Sequence, residues 1–105
     1  MKVLVLCSGG FSSSLLVEKM KKLAQSRGEA MEVQATGTEA LEDLIDDFDI
    51  VLVAPQVRHR FERLSEIAQS HHRPIGLIAP QDFGTANAEK VLENLKQFRQ
   101  EKTEV

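Results

Sequence analysis

The sequence holds a single cysteine, Cys7, at the end of the apolar run Val3-Leu4-Val5-Leu6, where the chain turns to Ser8-Gly9-Gly10-Phe11-Ser12-Ser13-Ser14. A thiolate is a nucleophile, and a turn from a strand into a helix supplies what an anion needs: unpaired backbone N–H groups and the positive end of a helix dipole. Gly9 and Gly10 permit the angles that curl successive amides inward, while the hydroxyls of Ser8, Ser12, Ser13 and Ser14 add donors and a helix N-cap. The same field is expected to lower the pKa of a thiol pointing into it. A nucleophile in an anion cradle implies phosphoryl chemistry. A phosphoryl group on Cys7 would have its oxygens held by the amides and hydroxyls of residues 8–14, so that catalysis would consist mostly of positioning and charge stabilisation. Against this stands a plainer reading in which the thiol is a small apolar filler, since free cysteines are among the most buried side chains. Cysteine, two glycines and four hydroxyls together, between a buried strand and a helix, favour the chemistry.

Other motifs narrow it. The chain has neither the G-x-x-x-x-G-K-[ST] of a nucleotide-hydrolysing loop nor the G-x-G-x-x-G of a dinucleotide site, and no C-x-x-C for thiol exchange. A cysteine-dependent phosphatase uses C-x-x-x-x-x-R, with the arginine clamping phosphate and an aspartate as general acid. Here the arginine position is Ser13. A low-molecular-weight phosphatase or arsenate-reductase-like enzyme is therefore the rival reading, weakened by loss of the bidentate clamp. A thiophosphate that forms but is not efficiently hydrolysed suits a carrier. His59, His71 and His72 lack carboxylates at ligating spacing and read as solvent-facing, so no metal and no cofactor beyond a covalent phosphoryl group is expected. Arg58 and Arg60 read as a solvated helix start or as charges that steer an anionic donor.

The elements that must position Cys7 follow from periodicity. Val3-Leu4-Val5-Leu6 and Ile50-Val51-Leu52-Val53 are apolar throughout, as in strands covered on both faces; Met31, Val33 and Ala35 alternate with polar residues, as in an edge strand; Ile75-Gly76-Leu77-Ile78 is a fourth strand, ended by Pro80. Between them, Leu16, Met20, Leu23 and Ala24 share a helical face, opposite a Glu18–Lys22 pair, with Gly28 placed to end the helix. Leu41, Leu44, Ile45 and Phe48 predict a second helix capped by Thr38; Val57, Phe61, Leu64 and Ala68 a third; Ala88, Val91, Leu92, Leu95 and Phe98 a last one, fraying from Gln100. Alternating strands and helices argue for an α/β three-layer domain: a four-stranded parallel sheet with helices on both faces and right-handed crossovers. With the alternating strand at the edge, the order is 2-1-3-4, which puts a switch point between strands 1 and 3. Cys7 stands at one lip of that crevice, and Ala54-Pro55-Gln56 at the other, so Gln56 borders the site.

A chain of 105 residues with 42% apolar content is one domain, residues 1–105. Its charge of −3, with the two signs interspersed, gives no field for nucleic acid, and five aromatics, all Phe, leave no stacking platform for bases. A lone cysteine forms no internal disulfide, and the apolar stretch after Lys2 is too short for a signal peptide or a membrane span, so a cytoplasmic protein with no direct membrane insertion is expected.

The stretch CSGGFSSSLLVEKM resembles the active-site segment of the lactose/cellobiose-type enzyme IIB components of the bacterial phosphoenolpyruvate-dependent sugar phosphotransferase system, and is most similar to their cellobiose/diacetylchitobiose branch. That family ends a strand in Cys-Ser-x-Gly-x-Ser-[Thr/Ser]-Ser-Leu-Leu, matched here by Cys7, Ser8, Gly10, Ser12, Ser13, Ser14, Leu15 and Leu16. The likeness continues through Asp49-Ile50-Val51-Leu52, Ala54-Pro55-Gln56 and Asp82-Phe83-Gly84. The resemblance implies that Cys7 accepts a phosphoryl group from a phosphohistidine of the IIA component and passes it to a cellobiose-, chitobiose- or lactose-type disaccharide bound by the membrane IIC permease. It also implies a fold similar to low-molecular-weight tyrosine phosphatases. The chain departs from the family at Arg58, His59 and Arg60, which stand where relatives are usually uncharged, and at Asn87-Ala88, which replaces an acidic-glycine turn.

Overall fold

The computed structural model describes residues 1–8 and 13–103, with side chains through Phe98. Four strands, β1 (Lys2–Cys7), β2 (Glu32–Gly37), β3 (Ile50–Val53) and β4 (Ile75–Leu77), form one parallel sheet in the order β2-β1-β3-β4, the order expected from the sequence. Among the described residues five α-helices cover it: α1 (Ser14–Ser26), α2 (Leu41–Leu44), α3 (Phe61–Ser70), α4 (Pro80–Gly84) and α5 (Ala88–Thr103).

Side chains of successive strand residues point to opposite faces. Val3 and Val5 of β1, with Val33, Ile50 and Leu52, pack against Leu16 and Met20 of α1 and Val91 and Leu95 of α5. Leu4, Leu6, Val51 and Val53 pack on the other face against Leu41, Ile45, Leu64 and Ala68. All of β3, and β1 from Val3 onward, is wholly buried, and each such aliphatic side chain stabilises the fold by about 1.5–3 kcal/mol. Backbone bonds lock β1 to β3 at both ends: Asp49 N–H donates to the Lys2 carbonyl at 2.8 Å, and Ala54 N–H to the Leu6 carbonyl at 2.8 Å. Gly76 of β4 has no room for a side chain, because the Phe98 ring lies against it.

α1 matches its expected face, its Glu18–Lys22 pair closes at 3.3 Å, and Gly28 ends the segment at φ +69°. The second helix differs. Only Leu41–Leu44 is α-helical, between 3-10 turns at Thr38–Ala40 and Ile45–Asp47, and Phe48 is extended (φ −123°, ψ 154°). Asp46 and Asp47 oppose the negative end of a helix dipole, and Arg73 Nε holds the Phe48 carbonyl at 2.7 Å where the chain enters β3. Thr38 is no cap: Gly37 occupies the N-cap position, and the Thr38 hydroxyl accepts from Arg60 at 3.5 Å. The third helix starts only at Phe61, after a 3-10 segment Pro55–Arg60 broken at Val57 (φ −115°, ψ 21°).

Three smaller differences remain. α4, begun by Pro80 in its first turn, was not evident from the apolar pattern because it spans little more than one turn. His71 Nδ1 meets the Asp46 carboxylate at 2.9 Å from a partly exposed position, while His72 is exposed. α5 continues past Gln100 to Thr103. Among the described residues no helix is long and apolar enough to cross a membrane.

Candidate functional site

Cys7 is the last residue of β1, at the carboxyl end of the sheet, and is fully buried. It follows Val3 and Val5 in the alternation, so its sulfur lies on the α1 side of the sheet. Among the described residues it meets the Ser13 hydroxyl, 3.2 Å from Sγ, and the Thr36 carbonyl of β2 at 3.7 Å. Cys7 thus sits in a polar socket at the foot of α1.

Ser13 builds that socket at the expense of the helix. It occupies the N-cap position of α1 (φ −102°, ψ 2°), and its carbonyl accepts from Val17 N–H at 2.9 Å, but its side chain makes no capping bond. The expected N-cap hydroxyl is spent on the thiol. Ser13 is wholly buried, whereas Ser8 and Ser14 are exposed, and Leu15 in the first turn of α1 is 58% exposed. Gly9, Gly10, Phe11 and Ser12, the centre of the expected cradle, lie outside the described residues.

The opposite lip follows β3. Ala54 is buried beside the end of β1, Gln56 is exposed one residue beyond Pro55, and Arg58, His59 and Arg60 are exposed behind it. Arg60 reaches across to Thr38, so the basic segment bridges the carboxyl ends of β3 and β2.

On the β2 side the register adds a residue that sequence reasoning missed. Gly37 is the direct partner of Cys7, so its absent side chain leaves a slot on the same face as the thiol. Glu39 turns back into it: a Cβ at Gly37 would meet both Glu39 carboxylate oxygens, Oε2 at 2.8 Å. No periodicity or motif points to Glu39; only the strand register reveals it. A concavity of about 850 Å³ lies away from this site, lined by Lys2, Gln25, Met31 and Phe48 towards the amino ends of the strands. In open α/β sheets ligands bind at the carboxyl ends, where Cys7 stands.

Fold and site together define a class: a doubly wound α/β domain whose one thiol closes the first strand at the switch point, beside a helix N-terminus. The family described as "PTS system, Lactose/Cellobiose specific IIB subunit" matches residues 2–94. The chain is 36% identical to the oligo-beta-mannoside-specific EIIB component of Bacillus subtilis (88% of this chain, 89% of that one) and 34% identical to the cellobiose-specific EIIB component of Lactococcus lactis (87% and 90%). Among solved structures it is similar to the cellobiose-specific phosphotransferase IIB component from Borrelia burgdorferi, with 37% identity, a TM-score of 0.81 and coverage of 97% of this chain and 94% of that one. The lactose-specific IIB domain from Streptococcus pneumoniae shares the fold, with a TM-score of 0.83 at 22% identity, over 93% of this chain and 96% of that one. The chain belongs to the lactose/cellobiose IIB family of the sugar phosphotransferase system. It is a phosphotransferase component that acts in sugar phosphoryl transfer alongside IIA and IIC components.

Proposed function

We propose that Cys7 is the residue that carries the phosphoryl group. Its sulfur attacks the phosphorus of a phosphohistidine on IIA, so that a P–S bond forms as the P–N bond breaks. A hydroxyl of the sugar held by the membrane IIC permease then attacks the same phosphorus, and Cys7 departs. The observation that supports this reading best is the polar socket: the chain's one thiol, at the carboxyl end of a central strand, is bonded to the N-cap serine of the following helix. The backbone amides and hydroxyls of Ser8, Gly9, Gly10, Phe11, Ser12, Ser13 and Ser14 cradle the phosphoryl oxygens, Gln56 borders them, and no cofactor is needed beyond the covalent group.

Ser13 in place of a phosphatase arginine favours carriage over hydrolysis, because a hydroxyl neither clamps phosphate bidentately nor brings a fixed positive charge. Relatives named for oligo-beta-mannoside, cellobiose, galactose and lactose support a cellobiose-, chitobiose- or lactose-type sugar. In the lactose-specific EIICB component of Staphylococcus epidermidis the matching segment is part of a chain about nine times its length, which supports docking beside a permease at its cytoplasmic side.

The test is peptide mass spectrometry after incubation with phosphoenolpyruvate, the upstream phosphocarriers and a cognate IIA, each omitted in turn. One phosphoryl group on Cys7, dependent on IIA and lost in Cys7→Ser, is the expected result. Stoichiometric transfer to Cys7→Ser would sink the assignment.

A further inference from the structure

We infer that Glu39 tunes Cys7, its carboxylate raising the free energy of negative charge on the thiol and so keeping a phosphoryl group there easy to pass on; the second half of this rests on the carrier reading above. Glu39 lies beyond the strand, yet its carboxylate occupies the side-chain slot that Gly37 leaves empty. Gly37 pairs with Cys7, and laterally paired residues of a parallel sheet point to the same face. Sγ also leans towards β2, where Thr36 O stands 3.7 Å away. The carboxylate therefore stands over the Gly37 position, on the face that the thiol shares and one strand across from it.

None of the ion pairs among the described residues neutralises Glu39. The other charged groups at this end of the sheet are Arg60 and Arg63, which share a hollow with Glu39 and Glu42, then Arg58 and His59 after β3, and Asp82 after β4. Arg60 spends its contact on the Thr38 hydroxyl. On onward transfer the acceptor oxygen bonds to phosphorus as the S–P bond breaks, and the sulfur keeps the electron pair and takes up the proton the hydroxyl gives up. About two negative charges leave the neighbourhood of Glu39 and a neutral thiol remains, so the carboxylate favours departure.

The test needs no partner protein: alkylation of Cys7 by neutral iodoacetamide, followed by mass spectrometry across a pH series, at low and high salt. Glu39→Gln is expected to react roughly threefold to tenfold faster than the natural chain at neutral pH and low salt. Its profile should shift to lower pH, and the gap should shrink at high salt, since Glu39 is exposed and screened. Glu42→Gln, further along the same segment, should stay within about twofold. Equal rates at low salt would overturn the inference, and so would a gap that salt leaves undiminished, which would report loosened packing instead of charge. Because the assay uses this chain alone, a failed phosphoryl transfer and a failed charge coupling remain separate results.

Discussion

Two strand-to-helix junctions stand side by side in this molecule, β1 to α1 and β3 to α3. Their strands are equivalent: paired in register from Val3↔Ile50 to Leu6↔Val53, wholly buried, and sharing the same two apolar layers. At the end of β1 the next inward position is Cys7, bonded to a buried serine; at the end of β3 the chain places Ala54, then Pro55 and a 3-10 segment that presents Arg58, His59 and Arg60 to solvent. The first junction spends a helix cap on a thiol, and the second spends its length on exposed charge. The same scaffold thus ends in a buried thiol on one lip and in exposed basic charge on the other, and the difference lies in the one or two residues where each strand stops.

If the strands are equivalent, truncating either should cost stability. Leu6→Ala is expected to destabilise by about 2–5 kcal/mol, and Val53→Ala by less because fewer carbons are removed. Urea unfolding of both variants checks this, with the midpoint falling and the slope unchanged. A Leu6→Ala midpoint close to that of the natural chain would break the comparison at its base.

The junctions should part at Ser13. Ser13→Ala removes the hydroxyl from Sγ without disturbing an α1 cap, since the side chain makes none. A hydrogen bond to a charged group contributes about 1.5–3 kcal/mol, so phosphoryl acceptance from IIA should slow by roughly tenfold to a hundredfold. Thermal stability should fall much less, as the helix keeps its backbone bonds. Rapid-quench phosphorylation beside a melting curve separates the two, and an unchanged rate would make the hydroxyl a packing feature only.

How much of this was legible beforehand depends on range. The strands, their order and the lip carrying Cys7 follow from short apolar runs, because burial on both faces removes polar residues wherever a central strand lies. The second helix misled because Leu41, Leu44, Ile45 and Phe48 keep helical spacing while Asp46 and Asp47 end the helix early and Arg73, distant in sequence, holds Phe48 extended. Ser13 was visible as a hydroxyl near the thiol, but that it serves Cys7 and not the helix is a matter of side-chain direction. Glu39 was invisible, since its position depends on which β2 residue pairs with Cys7 and on that residue being glycine.

The smallest effect expected is at the basic lip. Arg58 and Arg60 are exposed, and Arg60 meets the Thr38 hydroxyl at a long 3.5 Å, so neither supports the fold strongly. If the second junction is a contact surface for a phosphorylated partner, their charge acts before contact, by raising the encounter rate with an anionic donor. Arg58→Gln with Arg60→Gln should then slow phosphorylation by IIA about threefold at low salt and leave no difference at high salt, where the Debye length falls to about 3 Å. Alkylation of Cys7, measured in parallel, guards against a change at the thiol itself. A slowing that persists at high salt would mean that these residues make specific contacts with the donor, and the second lip would then be a recognition site in its own right.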